Sequence, residues 1–176
     1  MNKFWREDDG YALVLSLLFM PVFMGLSLMI IDLGRANNAH SDLQAAADAL
    51  ALAGGVELDN ETDSIDRAKA AMTKVFNGVN FLGLEPGDQT ILLKFDDSDT
   101  DSFNVIFLTD IPDDDHDPID QAWVDSYGTT SGIAAEYVYV AAQNKDLDPI
   151  FPVPFSWDER ELPVQAVAVA GRSAAA

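Results

Sequence analysis

The sequence predicts an α+β fold with one long amino-terminal helix, a second helix and an antiparallel sheet of about four strands. Three observations predict it. Residues 12–31 form a run of twenty uncharged, almost wholly apolar positions. Residues 32–54 hold no proline and become rich in alanine, the best helix former. Beyond residue 90 the apolar pattern changes from helical spacing to the short runs and alternations of strands.

The first run reads ALVLSLLFMPVFMGLSLMII. At about 1.5 Å per residue it reaches roughly 30 Å, the thickness of a bilayer core. A buried core helix is usually shorter and amphipathic, so residues 12–31 are expected to cross a membrane. A cleaved signal sequence has an apolar region of about 7–15 residues with a small-residue cleavage site close behind. This run is longer and leads into IDLGRANN, so a retained anchor is expected. Lys3 and Arg6 precede the run and Arg35 follows it. That bias places residues 1–11 in the cytoplasm as a stub and the rest outside. Pro21 interrupts the run, either as an ordinary kink or as a packing groove for another membrane helix.

Residues 32–55 are expected to continue the helix outward as an Ala-rich rod, with a weak spot at Gly34. Ala45, Ala49 and Ala53 recur every four residues on one face. Ala47 and Ala51 do so on a neighbouring face, and Leu43 and Leu50 share a third stripe. Small side chains at this spacing admit a close neighbour. Gln44 and Asp48 stand four apart, a spacing that permits a side-chain hydrogen bond. The neighbour is either the chain's own domain or another subunit. Asp32, Gly34, Leu43, Gln44, Ala45, Asp48, Ala49 and Ala53 are the candidate partner-packing residues.

This ordered set resembles the amino-terminal signature of TadG-like proteins (TadE/TadG-like) of the Flp, or tight-adherence, pilus system. The matching positions are Gly10, Asp32, Gly34, Leu43, Gln44, Ala46, Ala47, Asp48, Ala49, Leu52, Ala53 and Gly54. The Ala-Ala-Ala usual after the Asp is here Ala-Leu-Ala. The closing AEYVYVAAQN and LPVQAVAVAG resemble the end of that family's first exported module. Longer members continue past such a point, often into a von Willebrand A-type domain, whereas this chain stops at GRSAAA. It is expected to be a short member or a fragment. The resemblance implies a bacterial inner-membrane protein with most of the chain in the periplasm or beyond. Prepilin-type processing cuts after a Gly and favours Glu at the fifth mature position; after Gly10 that position is Leu15. Assembly as a processed major pilin is therefore not expected.

Residues 56–176 are expected to form the exported α+β domain, with pilin-like proportions. Residues 64–79, SIDRAKAAMTKVFNGV, read as the second helix. Ile65, Ala68, Met72, Val75 and Phe76 lie on one face and Asn77-Gly78 supplies the stop. ILLKF (91–95) and FNVIFLT (103–109) read as strands of a hairpin joined by DDSDTDS. AWVDSYGTTSG is ambiguous between a short helix and a loop. AEYVYVAA (135–142) and PVQAVAVAG (163–171) read as strands, with the proline-rich DPIFPVPFSW between them.

Of the 176 residues, 10 are Lys or Arg and 30 are Asp or Glu, for a formal net charge of −20. Such a chain has little with which to neutralise phosphates, so nucleic acid is not an expected partner. No cysteine is present, which excludes disulfides and a thiol nucleophile. Asp97, Asp99 and Asp101 open with calcium-loop spacing, but Ser102 stands where Gly is wanted and Leu108 where the bidentate Glu belongs. A solvated loop is the better reading. Asp96, Ser98 and Thr100 have the spacing of a metal-adhesion motif but lead into a strand rather than a helix. DDDHD (113–117) reads as a solvated acidic loop around His116. Ser131 lacks a nucleophile frame. No enzyme activity, cofactor, metal or small-molecule substrate is expected.

The expected function is a membrane-anchored structural component of a Tad/Flp-type pilus or related secretion assembly. It would act by helix packing on partner subunits or on copies of itself, with membrane lipid around the anchor. The alternative is a tethered adhesin or ligand-binding module, which an exposed aromatic pocket at Phe151, Phe155 and Trp157 would favour.

Overall fold

The computed structural model describes residues 8–79, 91–97, 103–114, 116–142, 145–147 and 162–172. The fold is α+β, as the sequence predicts. Helix α1 spans Asp8–Val56, 49 residues, with Pro21 inside it. It is followed by α2 (Ser64–Met72), β1 (Phe76–Val79), β2 (Ile91–Lys94), β3 (Phe103–Leu108), α3 (Gln121–Tyr127), β4 (Tyr137–Ala142), β5 (Lys145–Leu147), β6 (Leu162–Val164) and β7 (Val167–Gly171). β3, β4 and β7 form an antiparallel sheet with β4 in the centre. β1 pairs with β2 and β5 with β6, both antiparallel.

α1 runs unbroken through Gly34, where a weak spot was expected. Its two halves meet different surroundings. From Tyr11 to Ile31 its side chains are exposed or partly so. From Asp32 onward one face is buried against α2, β4 and β7. The helix is therefore a core element of the domain for its second half and bare for its first. Pro21 has no amide hydrogen to donate to the Leu17 carbonyl. Ser16 and Ser27 donate their hydroxyls back to the carbonyls of Ala12 and Phe23, each at 2.8 Å. Such back-bonds satisfy a hydroxyl among apolar neighbours.

The core lies between α1 and the sheet. β4 alternates, burying Val138, Val140 and Ala142 while Tyr137, Tyr139 and Ala141 occupy its other face. In the flanking strands Phe103 and Phe107 of β3 and Ala168 of β7 share the buried side. Leu43, Ala46, Ala47, Leu50 and Ala51 of α1 meet them. Burying a side chain as large as Leu50 or Phe103 contributes about 1.5–3 kcal/mol. At the top of α1 the approach is tightest. A Cβ at Gly54 would lie 3.2 Å from Val138, and one at Gly55 would lie 3.1 Å from both Ala170 Cβ and the Gly171 carbonyl.

Two sequence expectations are corrected. α2 stops at Met72, not at Asn77-Gly78. Thr73 and Lys74 close it, donating their amides to the Lys69 and Ala71 carbonyls respectively, and Phe76–Val79 becomes strand β1. Val75 and Phe76 are better suited to a strand than to a helix end, and β2 provides the pairing. The turn expected at DDSDTDS lies largely outside the described residues; among those described, β2 pairs with β1 and β3 with β4.

Elsewhere the ambiguous AWVDSYGTTSG holds helix α3. The Asp120 carboxylate accepts from the Trp123 amide at 2.9 Å and caps it. Trp123 stacks on Tyr127 with centroids 4.4 Å apart, and its indole donates to the Asp110 carbonyl at 3.1 Å. The stretch read as one strand over 163–171 is divided between β6 and β7, which pair with different segments.

The packing separates two substitutions of the same kind. Ala47→Leu forces three further carbons into a closed helix–sheet contact and is expected to cost about 1–3 kcal/mol. Ala45→Leu adds them to an exposed position and is expected to change stability by less than about 0.5 kcal/mol. Denaturant unfolding of the detergent-solubilised chain, followed by near-ultraviolet circular dichroism, measures both.

Candidate functional site

The residues singled out in the sequence all lie on α1, and the structure sorts them by face. Leu43 is fully buried in the chain's own core, as are its neighbours Ala46 and Ala47. Asp32 is 7 % exposed and forms an ion pair with Arg35 at 3.1 Å one turn on. Gln44 donates through Nε2 to the Asp48 carboxylate and to the Val167 carbonyl, both at 2.9 Å. Ala49 and Ala53 are half-buried on the flank. Gly34, Ala45 and Asp48 are exposed.

The Gln44 bond has a physical purpose within the sheet. β7 is an outer strand of the β3-β4-β7 sheet. The Ala166 carbonyl accepts from the Ala142 amide, so it faces β4. Carbonyls alternate along a strand, so that of Val167 faces away from β4, toward the open edge. Gln44 occupies it, and Asp48 holds the Gln44 amide in place. A covered edge is protected from pairing with another chain.

Opposite the buried face, Gly34, Asn38, Ser41, Ala45, Asp48 and Leu52 are exposed at alternating steps of four and three residues. That spacing keeps all six on one stripe of a helix. Within the apolar run, Ser16, Met20, Phe23, Ser27 and Ile30 are exposed on the same side, since successive residues turn by about 100°. α1 thus presents one continuous face that its own domain leaves uncovered. The sheet has a second open face, where Val167 and Val169 are 47 % and 41 % exposed beside Tyr139.

The sequence alone could not rank the alanines, because Ala45/Ala49 and Ala47/Ala51 have equal spacing. The signal that separates them is the pair Leu43 and Leu50, which flank Ala47 and mark the inward side.

The acidic stretches are engaged in local bonds. Asp97 meets Lys69 Nζ at 2.8 Å and so ties the segment after β2 to α2. Asp114 accepts from the backbone and ring of His116, which hold its carboxyl below the usual carboxylate range. Arg67 gathers Glu57, Asp59 and Asp63 around the turn between α1 and α2. Among the described residues no group of three or more His, Asp or Glu side chains is placed to hold a metal ion. Asp99 and Asp101, and the aromatic cluster Phe151, Phe155 and Trp157, lie outside the described residues.

Arg67 holds the Asp59 carboxyl below its ordinary value of 3.8, chiefly by their hydrogen bond. A depressed carboxylate contributes stability that is present above the unfolded-state value and is lost as pH falls through the folded-state value. The thermal midpoint of the protein is expected to exceed that of Asp59→Asn at neutral pH. The gap should close as pH drops below the ordinary carboxylate range and shrink with added salt, because the pair is exposed. Thermal melts across pH at two salt concentrations read this out.

Among the described residues one helix, α1, is long and apolar enough to cross a membrane. Residues 10–57 match the Tad family model, described as "Putative Flp pilus-assembly TadE/G-like". No curated protein and no solved structure matches the chain.

Proposed function

We infer that this chain, TadE/TadG-like through residues 10–57, is a membrane-anchored structural component of a Tad/Flp-type pilus or related secretion assembly. The observation that carries the reading is the divided environment of α1. Residues 12–31 have no side chain to bury against within the domain, and they carry no charge. A free apolar cylinder of this length has one favourable solvent, the hydrocarbon of a bilayer. Residues 32–55 lie beyond it and residues 56–176 build the exported domain. Lys3 and Arg6 favour a cytoplasmic amino terminus for residues 1–11.

Partner subunits would pack along the face that the domain leaves open. Gly34, Ala45 and Asp48 lie on it, with Ala49 and Ala53 at its margin. Small residues permit close approach of a second helix, both in lipid and just above it. Leu43 and Gln44 would serve that face indirectly, by fixing α1 to the domain from behind, and the buried Asp32 pairs with Arg35 along α1 itself. The reading needs no catalytic group, and the chain would act through contact alone.

Ala45→Leu tests the face without disturbing the core. Co-purification of the full-length variant with the other pilus-assembly subunits, or with a differently tagged copy, is expected to fall at least about tenfold, equivalent to 1.4 kcal/mol of lost contact. Unchanged recovery would remove Ala45 from the interface.

A further inference from the structure

The core occupies one face of the β3-β4-β7 sheet. On the other face Ile106, Tyr139 and Val169 form one row across the three strands, and Asn104, Ala141 and Val167 form the next. All six are exposed or half-buried. The row beyond them is closed at Leu108, which is fully buried beside its bridge partner Gly128. The two open rows are uncharged, in a chain with 30 acidic and 10 basic residues. Burial pushes the Tyr139 phenol above its ordinary value of 10.0, as a poorly hydrated surface would. The outer stripe of α1 differs, because Asp48 stands on it with Asp42 exposed beside it.

Direction narrows what can cover this sheet face. Gln44 meets Val167, and further along α1 Gly55 meets Ala170 and Gly171. β7 therefore runs in the same direction as α1, and the sheet stands along the helix. Two copies anchored in one bilayer share that direction, so a two-fold axis between them lies along the bilayer normal. Antiparallel pairing through the edge strand β3 would need opposed strands and is incompatible with that axis. Stripe-on-stripe contact through α1 would set Asp48 against its own copy. Packing the outer sheet faces together meets neither obstacle.

Size argues for a partner held in the same membrane. With strands about 4.8 Å apart and about 3.3 Å per residue, the face covers on the order of 200 Å². A free-standing complex buries about 800 Å² on each partner. A contact this small holds where anchors already raise the effective concentration of the partners. The occupant must be apolar, uncharged and anchored beside this chain, and a second copy supplies all three with the same face.

We propose that the outer face of the β3-β4-β7 sheet is a self-association surface, on which two copies in one bilayer pack β4 on β4 and β3 on β7. This rests on the anchoring reading above and gives a partner to a surface which that reading leaves unused. The sheets would lie about 10 Å apart. Both α1 helices would stand on the outside of the pair, with their outer stripes free for other subunits.

The cysteine-free chain allows single-site cross-linking of the full-length protein in phosphatidylcholine vesicles with a short bismaleimide. Ala141→Cys, on the central strand, is expected to give several-fold more covalent dimer than Ala70→Cys, an exposed control on α2. A mixture of Asn104→Cys and Val167→Cys copies should link several-fold more than either alone, because β3 meets β7. Adding Val169→Asp to Ala141→Cys should cut the dimer several-fold. Circular dichroism would confirm that each variant folds, and the mixed-copy measurement does not depend on the Asp variant. Vesicle flotation reads the anchor separately. Flotation with Ala141→Cys no better than Ala70→Cys would overturn the sheet contact and leave the anchor standing. Dimer that survives Val169→Asp, or that forms only when other pilus-assembly subunits are added, would also overturn it. Failure to float would defeat the anchor and the sheet contact together.

Discussion

The close contact between α1 and the β4–β7 pair is the constraint on which the rest of the structure depends. A helix settles on a sheet at a distance set by its inward side chains. Here those are Ala46, Ala47, Ala51, Gly54 and Gly55, with Leu43 and Leu50 filling the space between them. Larger residues at the small positions would lift the helix off Val138, Val140 and Ala168 and open the only described core. Because α1 is part of that core, its form beyond Ile31 does not depend on alanine propensity alone. Tertiary packing stabilises it, as it does most helices in folded proteins. The same packing orients the outer face, since a helix clamped on one side has its other side fixed in direction.

Charge is arranged around this core. Arg67 collects three carboxylates at the turn after α1, and Lys69 holds Asp97. Arg35 pairs with Asp32, and Arg172 lies near Glu136. Basic side chains are scarce in this chain, and these four stand at junctions between elements or at the start of the packed half of α1. Exposed pairs of this kind add little stability individually, so their effect is chiefly to fix local geometry. The excess of acid over base, a net charge of −20, keeps the chain strongly solvated.

The sequence made some of this legible, and physical reasons explain the rest. The long helix could be read because twenty uncharged residues followed by an alanine-rich stretch leave few alternatives. β3 and β4 could be read because Phe103–Leu108 and Tyr137–Ala142 have strand composition throughout. β1 could not, because FNGV contains Asn-Gly, which by itself signals a turn. Its pairing with Ile91–Lys94 is a nonlocal fact. α2 was read too long for the same reason: Val75 and Phe76 fit both the end of an apolar helix face and the start of a strand, and only a distant partner decides between them. Of the candidate packing residues, the role of Gln44 was hidden. The spacing to Asp48 was visible, but the edge it covers lies 123 residues away in sequence.

The absence of a break at Gly34 joins the two halves of α1 as a single shaft. Their relative azimuth is then set by residue count alone. One residue added between Ile31 and Asp32 would turn the domain by about 100° and displace it by about 1.5 Å. Such an indel would leave composition, hydropathy and both local structures intact while pointing the outer stripe in a new compass direction. The length of this junction is therefore as much a part of the molecule's specification as the identity of any side chain on it.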